Sequence, residues 1–123
     1  MAQIRVLIAD DHRLFREAVE AILGGDDRFA VVGHALDGEE AVRLAGELQP
    51  DLVLMDISMP GMDGFEAAEA IRAGEAGASV LMLTGSNSRS DVDRARRAGA
   101  SGYVTKDRLD VELIDLMLEV ASR

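Results

Sequence analysis

The residues best suited to chemistry in this sequence stand directly after short apolar runs. They are acids, a hydroxyl and a cation: Asp10-Asp11, Asp56, Thr84 and Lys106. Carboxylate oxygens are the hard ligands that Mg²⁺ prefers, and an aspartate can attack phosphorus to form an acyl phosphate. A hydroxyl and an ammonium group can bind the oxygens of the transferring group, because phosphoryl transfer depends mainly on positioning and charge stabilisation. This set points to phosphoryl transfer at a magnesium site.

The elements that must position these residues alternate regularly along the chain. Short apolar runs predict five strands: Ile4–Ala9, Ala30–Ala35, Leu52–Met55, Val80–Leu83 and Tyr103–Thr105. Apolar residues at helical spacing, with glycine or proline stops, predict helices near residues 15–23, 41–48, 65–71, 90–98 and 109–121. This alternation predicts an α/β fold with a five-stranded parallel sheet covered by helices on both faces. Right-handed crossovers leave few topologies, among them the doubly wound, flavodoxin-like order 2-1-3-4-5.

That topology would bring the polar residues together at one edge of the sheet. In open parallel sheets, sites form at the carboxyl ends of the strands, where the strand order reverses. Strands one and three are neighbours at that reversal, so Asp10, Asp11 and Asp56 would meet there. Three close carboxylates repel one another, which raises the proton affinity of at least one of them unless a cation lies among them. We therefore expect Mg²⁺ beside Asp56, with Lys106 and Thr84 contacting the phosphoryl group.

Composition narrows the function further. The 123 residues, 48% of them hydrophobic, suit a single domain with one well-filled core. The formal charge of -10 makes the chain a poor partner for nucleic acid, whose binding relies on Lys and Arg. There is no cysteine, no apolar stretch long enough to span a bilayer and no signal peptide at the start. We expect a cytoplasmic chain with no membrane or nucleic-acid contacts of its own.

Four stretches of the sequence resemble bacterial receiver domains, the cytoplasmic modules that sensor histidine kinases phosphorylate in two-component systems. They are Val6–His12, Asp51–Gly64, Leu83–Gly85 and Gly99–Asp107. Together they extend over essentially the whole chain. The resemblance implies a signalling switch that catalyses its own phosphorylation and dephosphorylation and does not turn over an outside substrate. The predicted strand order is also the one known for this family, so it is not independent support for the resemblance.

The resemblance assigns roles to matching residues around the metal. Asp56 matches the phosphoacceptor, and Asp11 matches the acid that binds Mg²⁺ directly. Asp10 matches an acid that acts through water or behind the ligands, and the backbone carbonyl of Ser58 matches a third metal ligand. Ser86, like Ser58, flanks the site and is a candidate for tuning hydrolysis.

Three further matches concern the phosphoryl group and the response to it. Thr84 and Lys106 match the residues that engage the phosphoryl group, and Tyr103 matches the aromatic residue that changes rotamer when that group arrives. We expect phosphorylation to draw Thr84 inward, to let Tyr103 turn, and so to change the surface of helix four, strand five and helix five. Helix four has only a thin apolar stripe, which includes Val92 and Ala95. We therefore expect helix four to pack weakly, and a weakly packed element is easier to shift.

One departure from the family pattern identifies a subfamily. Many receiver domains carry proline after the lysine, whereas Asp107 follows Lys106 here, as in the NarL/FixJ subfamily. That subfamily usually carries a C-terminal helix-turn-helix domain. We expect residues 1–123 to form a single receiver domain, which either is part of a longer protein with the DNA-binding output domain outside this sequence or stands alone. Apolar residues on more than one side of helix five, such as Leu113 and Leu116, make a homodimer a further expectation.

Other interpretations of the same residues stay open at this point. Singly, Asp10-Asp11 would be a helix cap and Asp56 a turn residue. A phosphohydrolase of the haloacid-dehalogenase kind also uses an aspartate nucleophile with Mg²⁺, but Ser58 stands where its acid–base aspartate should be. A flavodoxin-like flavin binder needs a hydroxyl- and amide-rich phosphate loop, which Asp10-Asp11 would replace with repelling charge. A receiver that works without phosphorylation is the remaining alternative.

Basic and imidazole side chains carry weaker signals. Four arginines lie near the fourth helix: Arg89, Arg94, Arg96 and Arg97. The pattern favours a solvated face and a partner-binding face equally. His12 is expected to line the mouth of the site or to start the first helix. His34 lies in the second strand, where we expect a structural role.

Overall fold

The computed structural model describes residues 3–74, 77–85 and 89–122. Five strands are present in that part of the chain: β1 (Ile4–Ala9), β2 (Phe29–Ala35), β3 (Leu52–Asp56), β4 (Ser79–Thr84) and β5 (Gly102–Thr105). Five α-helices connect or follow them: α1 (Arg13–Gly24), α2 (Gly38–Leu48), α3 (Gly64–Ala73), α4 (Arg89–Arg97) and α5 (Leu109–Ala121). A single 3-10 turn, Lys106–Arg108, joins β5 to α5.

The strands form one parallel sheet in the order β2-β1-β3-β4-β5. The predicted fold class and strand order are confirmed. The register pairs Ala9 with Met55, and it pairs Asp56 with Leu83, so the strands end at a common edge. None of the described helices has the length and apolar character needed to cross a membrane.

Alternation along each strand divides the core into two layers. In β1, Val6 and Ile8 face the layer that contains α1 and α5, whereas Leu7 and Ala9 face the layer that contains α2, α3 and α4. All four of these side chains are fully buried. Burial on both faces explains why the strands read as continuous apolar runs in the sequence.

Local capping explains where two of the helices begin. The Asp37 carboxylate accepts a hydrogen bond of 2.8 Å from the amide of Glu40 at the start of α2. The Asp63 carboxylate accepts one of 2.9 Å from the amide of Glu66 at the start of α3. Each bond satisfies an amide that has no partner within its helix.

Several boundaries differ from the sequence-based prediction by one residue. β2 begins at Phe29 rather than Ala30, and β4 includes both Ser79 and Thr84. Asp56 is the last residue of β3 rather than the residue after it. Strand ends depend on backbone pairing with neighbouring strands, which the side-chain pattern does not reveal.

Candidate functional site

The carboxyl ends of two central strands position the buried acids. Asp10 follows β1 directly and is fully buried, and Asp56 ends β3 with 2% of its surface exposed. The amide of Asp10 donates to the carbonyl of Ala35 at 3.0 Å, and its carbonyl accepts from the guanidinium of Arg16 at 2.8 Å. These backbone contacts hold Asp10 beside the neighbouring strand, so its carboxylate is directed at the sheet edge.

Lys106 bridges the two buried carboxylates. Its Nζ atom lies 3.2 Å from Asp10 Oδ2 and 3.4 Å from Asp56 Oδ1. The same atom lies 4.1 Å from the centre of the Phe15 ring, a cation–π contact. Three elements far apart in sequence therefore converge, and Lys106 is held in place although no proline follows it.

Asp56 has one satisfied and one unsatisfied carboxylate oxygen. Oδ1 accepts a hydrogen bond of 3.3 Å from the amide of Ser58. Oδ2 is buried and has no hydrogen-bond partner within the described part of the chain. Burial and, after it, the negative charge of Asp10 raise the pKa of Asp56 to about 6, although Lys106 and the Ser58 amide oppose the shift. A cation bound beside this carboxylate would stabilise its ionised form.

Four residues offer atoms for a metal ion at this edge. Asp10, Asp11, His12 and Asp56 each contribute one candidate ligand atom, and these atoms all lie within 4.8 Å of one another. Asp11 is solvent-accessible, which gives an ion a path of entry. Because three of the four ligands are carboxylates, and one buried oxygen of Asp56 has no partner, the cluster can bind a divalent metal ion.

Close approach of the backbone shapes the loop after Asp56. A Cβ atom added at Gly64 would lie 2.2 Å from the Asp56 carbonyl oxygen, so only glycine lets α3 begin this close to β3. The Gly64 amide also donates to the carbonyl of Ile57 at 3.1 Å. The loop therefore turns back tightly beneath the acid cluster.

Thr84 and Tyr103 connect the site to the surface around α4. Thr84 ends β4 and is 4% exposed. Burial raises the pKa of the Tyr103 hydroxyl, and a hydrogen bond with the Thr84 side chain opposes that shift. A cavity of about 170 Å³ lies between α4 and β5, with Val92, Ala95 and Tyr103 in its wall. The two side chains thus connect the end of β4 with the wall of the cavity beside α4.

The structure brings together most of the residues singled out from the sequence. His12 precedes α1 as its N-cap and also lies at the mouth of the cluster, as expected. His34 pairs with Glu20 at 2.9 Å, away from the acids. Ser86 lies outside the described residues.

The three fourth-helix arginines whose side chains are described, Arg94, Arg96 and Arg97, are exposed. Arg94 lies 4.1 Å from the centre of the Phe65 ring and 3.5 Å from Asp63. Nothing is described of the Arg89 side chain.

Sequence reasoning missed three residues that support the site, namely Phe15, Arg16 and Gly64. The helical spacing of apolar residues that begins at Phe15 predicts only a helix, and the apolar character of Phe15 gives no sign of a lysine over its ring. Arg16 follows His12 by one helical turn, a spacing that could have placed it near the strand end. Gly64 ends one of the stretches that resemble receiver domains and received no role of its own there, although a glycine at the first position of a helix can signal close packing.

Comparisons with known proteins agree with this arrangement. The family model of the response regulator receiver domain matches residues 6–118. The chain is 34% identical over 117 residues to the nitrate/nitrite response regulator protein NarL of Escherichia coli, a match that spans 95% of this chain and 54% of that protein. It is 38% identical over 119 residues to a transcriptional regulatory protein NarL of Mycobacterium tuberculosis, spanning 97% of this chain and 55% of that protein.

A solved structure gives the same result at the level of the fold. The signal receiver domain of a NarL response regulator from Mycobacterium tuberculosis superposes with a TM-score of 0.94 at 37% identity, covering 99% of this chain and 98% of that one. The fold and the acid cluster define a receiver domain, and the chain belongs to the response regulator receiver domain family. It spans about half the length of the curated relatives that it matches.

Proposed function

We propose that this chain is a phosphorylatable signalling switch of a bacterial two-component system, with Asp56 as the residue that accepts the phosphoryl group. The observation that carries the proposal is the buried Oδ2 atom of Asp56, which lacks a partner among the described residues while Lys106 holds the other oxygen at 3.4 Å. A carboxylate with a pKa of about 6 is largely ionised at neutral pH. Asp56 is therefore a nucleophile with one oxygen free to react.

The transfer forms one bond and breaks one. A carboxylate oxygen of Asp56 attacks phosphorus, the bond from phosphorus to the donor's nitrogen or oxygen breaks, and an acyl phosphate remains on Asp56. The donor in the cell is a phosphohistidine of a sensor kinase. Water later hydrolyses the acyl phosphate, so the chain returns to its starting state and is not a turnover enzyme for an outside substrate.

Mg²⁺ is the ion that we assign to the acid cluster. Asp11, Asp56 and the carbonyl of Ser58 would hold it, with Asp10 acting through water or behind these ligands. When bound, Mg²⁺ neutralises the acids and supplies a site for a phosphoryl oxygen. The carboxylate-rich donor set, with candidate ligand atoms within 4.8 Å of one another, supports this assignment.

Lys106 and Thr84 contact the phosphoryl group in this proposal. Lys106 already lies beside Asp56 and balances the charge of the transferring group. The Thr84 hydroxyl leaves Tyr103 to hydrogen-bond a phosphoryl oxygen. Tyr103 then turns, and the surface formed by α4, β5 and α5 changes its preference for partners.

Membership of the receiver domain family supports a proposal for the partner, the location and the output of the switch. Its partner is a sensor histidine kinase in the cytoplasm, and the full-length protein is a transcription regulator that binds DNA through a separate output domain. The transcriptional regulatory protein to which the chain is 38% identical supports this extension. A homodimer through α5 is a further part of the proposal, since Val111 on that helix is 65% exposed.

Intact mass measurement with acetyl phosphate and Mg²⁺ tests the proposal. The wild-type chain should gain the mass of one phosphoryl group, the gain should require Mg²⁺, and peptide mapping should locate it on Asp56. Asp56→Asn should abolish it. The matched control is Asp51→Asn, which changes an exposed aspartate at the opposite end of the same strand and should leave labelling intact. Labelling of Asp56→Asn at the wild-type level, or steady turnover of a phosphate ester, would contradict the proposal.

A further inference from the structure

The imidazole of His12 lies among the acids but has no role in the magnesium chemistry proposed above. Its Nδ1 atom is 3.4 Å from Asp10 Oδ1 and 3.3 Å from Asp11 Oδ1. Its side chain makes no capping hydrogen bond to α1, so the cap itself does not need an imidazole. With 67% of that side chain exposed, the ring is open to ions from solvent.

These separations match the edges of a metal coordination shell. Ligand bonds of about 2.0–2.1 Å that meet at a tetrahedral angle separate neighbouring ligand atoms by roughly 3.4 Å. The Lys106 ammonium pairs with one oxygen of each buried carboxylate. It lies 3.2 Å from Asp10 Oδ2 and 3.4 Å from Asp56 Oδ1. Asp10 Oδ1, which accepts a hydrogen bond of 2.8 Å from the His12 amide, and Asp56 Oδ2 face no ammonium group, and Asp56 Oδ2 is buried without a partner in the described part of the chain.

The chemistry of the imidazole separates two classes of ion. Mg²⁺ prefers oxygen ligands in an octahedron and keeps several waters. Imidazole nitrogen suits Zn²⁺ and its neighbours in the first transition row, which bind mixed nitrogen and carboxylate sites more tightly than Mg²⁺ does. A single side chain therefore decides which class of ion the cluster favours.

We propose that His12, with Asp10, Asp11 and Asp56, forms a binding site for a divalent transition-metal ion of the Zn²⁺ and Co²⁺ type that competes with Mg²⁺. Four protein ligands would close the coordination shell, since structural zinc sites of this kind keep no open position. A resident transition ion then blocks phosphorylation instead of supporting it. This regulatory consequence rests on the proposed function of Asp56, whereas the binding itself does not.

Cobalt is the probe, because its visible absorption reports nitrogen ligation and coordination number. The full chain, without an affinity tag and freed of metal by a chelator, is titrated with Co²⁺ by absorption and calorimetry, and separately with Mg²⁺ by calorimetry. His12→Asn removes the imidazole and keeps a residue that caps helices well. Circular dichroism confirms that the variant is folded. His34→Asn is the matched control, since His34 pairs with Glu20 outside the cluster.

Co²⁺ should bind the wild-type chain at one site with a low-coordinate absorption spectrum. Loss of an outer-shell partner already lowers metal affinity about 10–100-fold, so His12→Asn, which removes a direct ligand, should lower Co²⁺ affinity at least about tenfold. Its Mg²⁺ affinity should change much less, and His34→Asn should match the wild type. One equivalent of Zn²⁺ should suppress acetyl phosphate labelling of the wild-type chain more strongly than that of His12→Asn.

The outcomes separate this inference from the proposed function. Unchanged Co²⁺ affinity in His12→Asn, or an equal loss in His34→Asn, overturns the transition-metal site. If Asp56 is still labelled with Mg²⁺ in that case, the switch proposal stands and only this inference fails. Binding of neither Co²⁺ nor Mg²⁺ overturns both this site and the magnesium part of the proposed function.

Discussion

The two faces of the sheet are packed with side chains of different size. On the face covered by α1 and α5, the buried residues described are Leu, Val, Ile, Phe and Met, and none of them is alanine. On the face covered by α2, α3 and α4, more than half of the buried residues are alanine. Burial of apolar area contributes about 25 cal/mol per Å², so each large side chain holds its helix more firmly than an alanine does.

The difference indicates which helices can move. α5 is anchored by fully buried Leu113 and Met117, whereas the buried residues that anchor α4 include Ala95 and Ala98. The contact between Thr84 and Tyr103 leads from the acid cluster toward α4. We infer that the face covered by α1 and α5 keeps the acids in position. The helices on the alanine-rich face, α4 in particular, shift when the acid cluster changes its charge.

The largest effect is expected from truncating a large buried side chain on the face covered by α1 and α5, which we call the firm face. Leu113→Ala should lower the free energy of unfolding by about 3 kcal/mol, because it removes apolar contacts and leaves a cavity. Denaturant unfolding measures the change. Leu14→Ala on α1, which covers the same face, is the control, since that side chain is 80% exposed, and it should change stability by less than about 0.5 kcal/mol. A small loss for Leu113→Ala would show that this face is not the firm one.

The acid cluster belongs to neither apolar layer, and its electrostatic cost can be measured separately. In the folded chain the pKa of Asp56 is about 6, above its ordinary value of 3.8, so folding disfavours its ionised form. Its contribution to stability is complete below about pH 4 and is lost as the pH rises through 6. In metal-free buffer, Asp56→Asn should therefore be more stable than wild type at pH 7 by about 3 kcal/mol, with the advantage vanishing near pH 4.

The matched control for that measurement is Glu69→Gln, which removes an exposed carboxylate on α3. It should show no comparable gain between pH 4 and pH 7. If Asp56→Asn has the same advantage over wild type at both pH values, burial of the charge is not the cause.

The alternation of five apolar runs with helical patterns was sufficient to predict a parallel α/β sheet, and the resemblance to receiver domains selected the order 2-1-3-4-5 among the few that remained. In that order the strands that lead to Asp10 and Asp56 are neighbours, so the two acids meet at one edge. Contacts made by single side chains were not predictable in the same way. The position of Lys106 over Phe15, and the approach of Gly64 to the Asp56 carbonyl, depend on rotamers and loop geometry that the residue pattern does not encode.

A third test compares overpacking at two alanines of the same face. Ala68 on α3 is fully buried, and Ala68→Leu should cost about 2 kcal/mol because the surroundings have no room for the added carbons. Ala95 on α4 borders the cavity of about 170 Å³, so Ala95→Leu should cost about 1 kcal/mol or less. Thermal or denaturant unfolding measures both. Equal costs at the two positions would indicate that α4 is packed as tightly as α3.

The smallest effect concerns the contacts that restrain α4. The guanidinium of Arg94 lies 4.1 Å from the centre of the Phe65 ring and 3.5 Å from Asp63, which link α4 to the start of α3. Exposed contacts of these kinds contribute about 0.5–1 kcal/mol, so Arg94→Ala should speed amide hydrogen exchange in α4 severalfold with little change in α5. Arg97→Ala removes an equally charged, exposed side chain from the same helix and controls for helix propensity. Equal acceleration in both variants would mean that the Phe65 and Asp63 contacts do not restrain α4.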